Sequence, residues 1–467
     1  MSGGSAGPET PRSEPALAAV PLRARVWSVG TLTYSFGALM VLFVWLLFGD
    51  FSYMLRERSA TPVAQLMLKK YDASDLMTGI FILTIPWAVI LLVGPLVSYW
   101  SDRHRGPRGR RIPFLLYPAP FVTLSMIGLA YSPPIGMWLH GVLGGSPGSV
   151  NQTIVLVMAL FWTVFEIGVV VSNAVFNGLI NDVVPRAMLG RFYGLFRAVS
   201  LGAGVLFNYG LIGHADTHYT PILAAVGILY GVGFSLMCLR VKEGDYPPPP
   251  PAPAGNLAAN LFRDYWRECF TRPYYLLVFV FLGLANLSFI PVNTFSIRAA
   301  KAYSMSMDTY GVYLAVTYVI SFCAAFPLGW LADRIHPIRV GIGVMVAYTI
   351  VAVGGYFFVH DAQSFGWVLL VHGVISGGFM TGAAALPQML FPNSKFAQFA
   401  AAAGFLAAGL NMSLGPLLGL SLDFLGNDYR FTFLWGGAIA LTSVLFGVVM
   451  YLRWQRLGGQ LRYVAPE

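Results

Sequence analysis

Three stretches of this 467-residue chain place ionisable side chains inside runs that are otherwise apolar. The first holds Asp50, Arg56, Glu57 and Arg58, the second Glu166, and the third Arg197. Charge in such a setting costs about 3 kcal/mol per residue on insertion scales, so it is kept where it serves a path for an ion or a polar solute. Asp50, Tyr53, Glu57 and Thr61 recur at helical spacing and share one face, with Arg58 close to it and Arg56 pointing elsewhere. Glu166 shares a stripe with Asn173 and Asn177, and Arg197 aligns with Tyr193, Ser200 and Asn208. These faces are expected to line one aqueous cleft. A carboxyl as deep as Glu166 has its charged form disfavoured, which brings proton exchange within reach. The proton is the first candidate for a coupling ion, and sodium is the alternative. Simpler roles stand beside these. Arg56 and Arg58 also fit an interfacial place with their ends snorkelling to water, and Arg197 also fits a structural partner of Glu166 or Asp50.

The later part of the chain is quieter. Asn286 and Asn293 share a face, as do Tyr310, Thr317 and Ser321; His372, Ser376 and Asn411 follow. An amide offers donor and acceptor together, which suits a hydroxyl-rich solute. His372, alone among apolar residues, fits either a hydrogen-bonded core group or a ligand for substrate or proton. Tyr53 and Trp162 are aromatic rings that could stack on a sugar. No G-x-x-x-x-G-K-[ST] loop, metal-spaced His/Cys cluster or nucleophile elbow occurs, so an ATP-driven pump, a cofactor or metal, and an enzyme are all disfavoured. Cys238, Cys269 and Cys323 are too scattered for a disulfide framework.

The elements that must hold these residues follow from composition. The chain is 57% hydrophobic and 10% charged, against roughly 25% charged in soluble domains. Twelve apolar runs are long enough to cross a bilayer, at about 38–66, 74–99, 112–132, 151–180, 191–213, 220–241, 273–298, 309–332, 338–359, 366–390, 396–422 and 430–453. Spans of this length without period-two alternation are helices, so the fold class is an all-α membrane protein. With the N-terminus inside, 21 of the 29 Lys and Arg fall in cytoplasmic segments. That excess places both termini in the cytoplasm, and it accounts for the net charge of +9 without nucleic acid.

A long connection divides the spans into two sixes. It contains the run Pro247–Pro251, a stiff spacer, and then residues 260–270, which pattern as a short amphipathic helix on the membrane surface. The expected units are a largely disordered tail over 1–37, a six-helix half over 38–241, the linker 242–272, a second half over 273–454 and a cytoplasmic tail over 455–467. Spacing supports a repeat: Leu179, Pro185 and Phe192 recur as Leu386, Pro392 and Phe399. Parallel repeats of this kind place a binding site between the halves near the midplane.

Each half also carries an Asp-Arg loop. The first runs from Asp102 to Phe114, through Arg103, Arg105, Arg108, Gly109, Arg110 and Arg111, and the second is Gly329-Trp-Leu-Ala-Asp333-Arg334. Residues 329–334 match the first six positions of G-x-L-A-D-R-x-G-R-R, the signature loop of the major facilitator superfamily, which the chain resembles over 38–454. The first copy has Ser98 in place of the glycine and three extra residues. That longer form, together with Trp162-Thr-Val-Phe-Glu166 leading to Asp182-Val-Val-Pro185, resembles the sucrose transporters and the glycoside–pentoside–hexuronide cation symporters. In that branch the acid at the place of Glu166 is tied to proton-coupled sugar uptake. Asn177 stands where the branch has an arginine, and Arg197 is a candidate to supply the charge.

The resemblance implies a secondary transporter working by alternating access. Asp102, Arg103, Arg110 and Arg111 would latch the two halves when the outside is open, with Asp333 and Arg334 as the weaker counterpart. It implies a monomer in the plasma (inner) membrane with the lipid bilayer and a small solute, a sugar or glycoside, as partners. Residues expected to touch substrate or proton are Asp50, Tyr53, Glu57, Arg58, Glu166, Asn173, Asn177, Arg197, Asn286, Asn293 and His372. Two alternatives stand: proton-coupled efflux of organic cations or drug-like compounds, and a non-transporting membrane sensor on the same fold.

Overall fold

The computed structural model describes residues 26–145, 148–246, 248, 267–392 and 395–466. A two-stranded antiparallel hairpin, β1 (Trp27–Val29) and β2 (Leu32–Tyr34), leads into the helices. The first six are α1 (Phe36–Lys70), α2 (Asp75–Arg103), α3 (Ile112–Ala130), α4 (Val150–Val183), α5 (Arg186–Gly210) and α6 (Ala215–Arg240). The other six are α7 (Pro273–Ala302), α8 (Met307–Ile335), α9 (Pro337–Phe358), α10 (Ala362–Leu390), α11 (Phe396–Phe424) and α12 (Arg430–Arg456). The chain is thus a predominantly helical, multi-pass membrane protein, and its described residues contain the twelve long helices its hydropathy predicts. Eleven are apolar and long enough to cross a bilayer. α5 falls short because Arg186, Arg191 and Arg197 interrupt its apolar residues.

Helix ends differ from the hydropathy reading where polar caps or breaks decide them. α1 starts at a Ser35 cap and runs through Pro62 to Lys70, beyond the apolar run. α2 contains a π-helical turn at Ile80–Thr84. After α3 a further helix, Ser132–Val142, follows almost without break. α10 is interrupted at Ala383–Ala385 before its last turn, Leu386–Leu390. The N-terminal tail before Val26, most of the proline run, and residues 260–266 of the surface segment lie outside the described residues; 267–270 are helical.

Packing makes two bodies that meet at one end. α1 packs on α5 and α6, and α3 on α4 and α6; α7 packs on α11 and α12, and α8 and α9 on α10. One apolar core includes residues of α1–α6 and also Leu287, Val292, Phe295, Leu414, Leu418 and Leu422 of the second body. A separate core, with Tyr275, Phe279, Phe281, Phe391 and Trp454, belongs to the second body alone. The described termini lie against the segment after α6 and the start of α7, away from that junction: Tyr275 donates to the Pro466 carbonyl at 2.7 Å, and the Asp245 N–H donates to Thr31 Oγ1 at 2.8 Å. The bodies are therefore joined at the end opposite the termini and part toward the end that carries them. α2 and α8 are the least buried spans, as helices flanking an open cleft would be.

Candidate functional site

The closed end is built around Asp75. Arg298 Nη1 donates to its Oδ1 at 2.8 Å, and Tyr429 and Asn427 donate at 3.1 and 2.8 Å. Arg298 also reaches the Ala73 carbonyl at 2.5 Å, and both members of the ion pair are buried. From α11, Asp423 accepts the Asp75 and Leu76 N–H groups at 2.9 Å each, capping α2 across the interface. A carboxylate at a helix N-terminus is favoured by the helix dipole and by the free N–H groups there. Close backbone approach completes the closure. A Cβ on Gly79 would lie 2.1 Å from the Gly415 carbonyl oxygen, and one on Gly311 1.9 Å from that of Asn208. Lys301 pairs with Asp216 at the same end. Of these residues the sequence marks only Asn208, as a cleft-lining position; individual charges near helix ends give no signal of distant partners.

Midway, the first body holds a buried polar cluster. Asp50 is fully buried, and among the described residues neither of its oxygens has a hydrogen-bond partner. Arg56 is 1% exposed. Its guanidinium lies 4.3 Å from the Tyr53 ring centroid, 5.2 Å from Tyr230 and 5.5 Å from Phe165. The charges of Glu57 and Glu166 both act on it. Arg56 is thus neither interfacial nor pointing away from the site: an aromatic cage holds the cation by its ring faces. Glu166 is buried, and its charge is one of those acting on Arg56. The helical face drawn through Asp50, Tyr53 and Glu57 is divided, since Asp50 and Tyr53 are buried while Glu57 is exposed. Tyr53 packs against Phe176, Tyr230 and Phe234, and Trp162 stacks on Phe81, so both rings serve the core rather than an open face.

Arg197 pairs with neither Glu166 nor Asp50. It is exposed and senses Arg58 and Tyr318 instead. Arg58 reaches across to α8, donating to the Tyr318 hydroxyl at 3.4 Å and lying 5.3 Å from its ring centroid. Asn173 and Asn177 are exposed on α4.

The second body contributes a cavity of about 450 Å³, lined by α7, α10 and α11 and closed on one side by Trp87 of α2. Asn286, Asn293, Ser376 and Asn411 supply its polar groups, among Phe279, Phe289 and Met380. The volume and the balance of an apolar lining with a few placed polar groups suit a small organic solute. Asn286 and Asn411 donate to the Leu282 and Ala407 carbonyls, each at 2.8 Å, which leaves their Oδ1 atoms as acceptors. The Asn411 Oδ1 is buried without a partner among the described residues. His372 does not line the cavity. It is 1% exposed, with Nδ1 3.0 Å from the Tyr348 hydroxyl and Nε2 3.1 Å from Asn293 Oδ1. Trp87, the ring that does reach the cavity, carries no sequence mark that sets it apart from other membrane tryptophans.

At the terminus-bearing end the long Asp-Arg loop is tied within its own body. Arg110 grips Asp182 through Nη2 at 2.9 Å, and Arg111 reaches Asp182 at 3.3 Å and Asp102 at 2.7 Å. Glu243 accepts the N–H groups of Arg110, Arg111 and Ile112 at 3.0, 2.8 and 2.6 Å. The Tyr246 hydroxyl donates to Glu243 at 2.9 Å; burial, and then the Glu243 and Asp182 charges, push that hydroxyl up from its ordinary pKa. Arg103 lies over the Tyr99 ring. Asp333 and Arg334 are exposed, with Arg334 over Trp330. Among the described residues no ion pair joins the two bodies here, as fits a state closed at the opposite end.

Comparison with known proteins agrees with this architecture. The family model described as Major Facilitator Superfamily matches residues 46–416. A crystal structure of the nucleoside transporter NupG superposes with TM-score 0.67 at 11% identity, covering 88% of this chain and 100% of that one. A D-xylose-proton symporter gives 0.62 at 15%, covering 88% and 97%. A bacterial homolog of the human lysosomal transporter Spinster, in an inward-facing and occupied conformation, gives 0.61 at 14%, covering 92% and 98%. At such identities the likeness is one of fold. No curated protein sequence matches the chain.

Proposed function

The chain belongs to the major facilitator superfamily, and from that premise we propose that it is a secondary transporter coupling proton entry to the uptake of a sugar or glycoside. The observation that carries the coupling is the polar cluster of the first body. Among the described residues neither oxygen of the buried Asp50 has a donor, and Glu166 is buried where its charge acts on the caged Arg56. Burying an unpaired carboxylate costs several kcal/mol, and a bound proton removes most of that cost. Proton occupancy of this cluster therefore differs in energy between a conformation that wets it and one that does not. Such a difference is what coupling requires, because an ion moves a conformational equilibrium only by binding one state better. The amide-lined cavity of the second body supports an uncharged, hydroxyl-bearing solute.

In this reading both termini are cytoplasmic, the membrane is the plasma (inner) membrane, and the protein acts as a monomer. The structure's open end is then the cytoplasmic one, and the loop residues Asp102, Arg103, Arg110 and Arg111 re-pair across the halves when the outside opens. Glu166→Gln tests the coupling. It should abolish accumulation of sugar against its gradient while sparing exchange of internal for external sugar. Accumulation undiminished in Glu166→Gln would remove Glu166 from the coupling site.

A further inference from the structure

We propose that Tyr348 and His372 are positioning residues that fix which edge of Asn293 faces the cavity, so that the site shows one amide donor beside two amide acceptors. This rests on the reading of that cavity as the place where the solute binds. The His372 ring is buried, and both its nitrogens are in hydrogen-bond contact, with the Tyr348 hydroxyl at 3.0 Å and Asn293 Oδ1 at 3.1 Å. The Tyr348 hydroxyl also lies 3.2 Å from the Ser288 carbonyl. A neutral imidazole has one N–H, a tyrosine one O–H, and a carbonyl only accepts. Two directions of the chain are then consistent. In one, Tyr348 donates to Nδ1, Nε2–H donates to Asn293 Oδ1, and the Asn293 amino group faces the cavity. In the other, Tyr348 donates to Ser288, Nδ1–H donates to Tyr348, and the Asn293 carbonyl faces the cavity. With Asn293 Oδ1 against Nε2 the first direction holds, the Tyr348 hydrogen being shared between Nδ1 at 3.0 Å and the Ser288 carbonyl at 3.2 Å.

The two other amides have no such freedom. Asn286 and Asn411 use their amino groups on carbonyls four residues back and keep acceptors free. The buried Asn411 Oδ1, unpartnered among the described residues, calls for a donor. Among the described residues no ionisable side chain lines the cavity. A carboxylate there would face two acceptors and no cation, so the arrangement selects a neutral sugar and rejects a uronate.

Proteoliposome transport with glucose, xylose, sucrose and glucuronate as probes tests this. A neutral sugar is expected to move and glucuronate is not; glucuronate flux equal to that of the best neutral sugar would overturn the selection. For the best neutral sugar, His372→Leu should raise KM about tenfold, the loss of roughly one hydrogen bond, with kcat changed much less. His372→Gln, whose amide N–H replaces Nε2–H, should restore KM to within about threefold. Equal damage from Leu and Gln, or no KM change in either, contradicts the positioning role. If no sugar moves, the sugar reading fails by itself, and ring ¹⁵N spectroscopy still judges the relay. The seven histidines are resolved by difference against His372→Gln. His372 should carry its proton on Nε2, and Asn293→Leu should shift that resonance. A proton on Nδ1, or a signal unmoved by Asn293→Leu, would overturn it.

Discussion

Arg298 of one half and Asp75 of the other form a buried ion pair, 2.8 Å from Nη1 to Oδ1, that closes the end of the protein opposite its termini. Removing one partner of such a pair leaves the other charge buried and uncompensated, which costs about 3–5 kcal/mol. Arg298→Met should therefore lower the thermal midpoint of the purified protein and expose a cysteine placed at Ala73 to a membrane-impermeant thiol reagent. The double variant Asp75→Asn/Arg298→Met should be less damaged than the sum of the single ones, with a coupling of about 1–3 kcal/mol. Additive effects would show that the pair does not hold the closure.

Gly79 and Gly415 bring α2 and α11 into backbone contact at the same closure. Gly79→Ala puts a methyl where the Gly415 carbonyl oxygen stands, and backbone cannot give way as a flexible side chain can. The variant should disfavour the closed end, where Leu414, Leu418 and Leu422 of α11 join the core of the first body. Cysteine accessibility at that end should rise and net transport fall. Wild-type accessibility in Gly79→Ala would mean that this contact does not limit closure.

Asn411 separates binding from stability. Its Oδ1 is buried without a partner among the described residues, so Asn411→Leu removes an unsatisfied acceptor and should leave thermal stability unchanged or raise it by up to about 1 kcal/mol. Under the proposed sugar reading the same change should raise KM about tenfold, since a solute hydroxyl loses its acceptor. A fall in stability with unchanged KM would place Asn411 in the structure rather than in the site.

Asp428 predicts where the closed end yields to acid. Hydrogen bonds from Arg430 hold its carboxyl below the ordinary aspartate range. A depressed folded value contributes stability above the unfolded pKa of about 3.9 and loses it as pH falls through the folded value. The turn from Asn427 to Arg430, which supplies Asn427 and Tyr429 to Asp75, should stay protected from hydrogen exchange through mildly acid pH and loosen only below about pH 4. Loosening between pH 5 and 7 would contradict the assignment.

The fold was legible because bilayer crossing demands long apolar helices, and twelve such runs are visible in the hydropathy. α5 shows the limit: its arginines interrupt the apolar pattern, yet packing against α1 and α8 holds it in place. Glu166 was found because an acid in an apolar helix is rare. Arg56 was misplaced because helical periodicity gives an angle around the axis and not the neighbours waiting at that angle, here three aromatic rings from three helices. Asp75 and Arg298 were unreadable for a related reason: each looks like an ordinary charge near a helix end, and only the closed cleft makes them partners. His372 was read as a core group or a ligand, and the structure puts it behind Asn293, where no spacing rule reaches.

Proton coupling is decided most directly by recording pH inside proteoliposomes while neutral sugars are added outside. Acidification of the lumen that depends on the sugar, and that vanishes in Glu166→Gln, is the expected result. Sugar entry with no pH change, the same with or without a sodium gradient, would contradict proton-coupled symport and leave the buried carboxyls without a transport role.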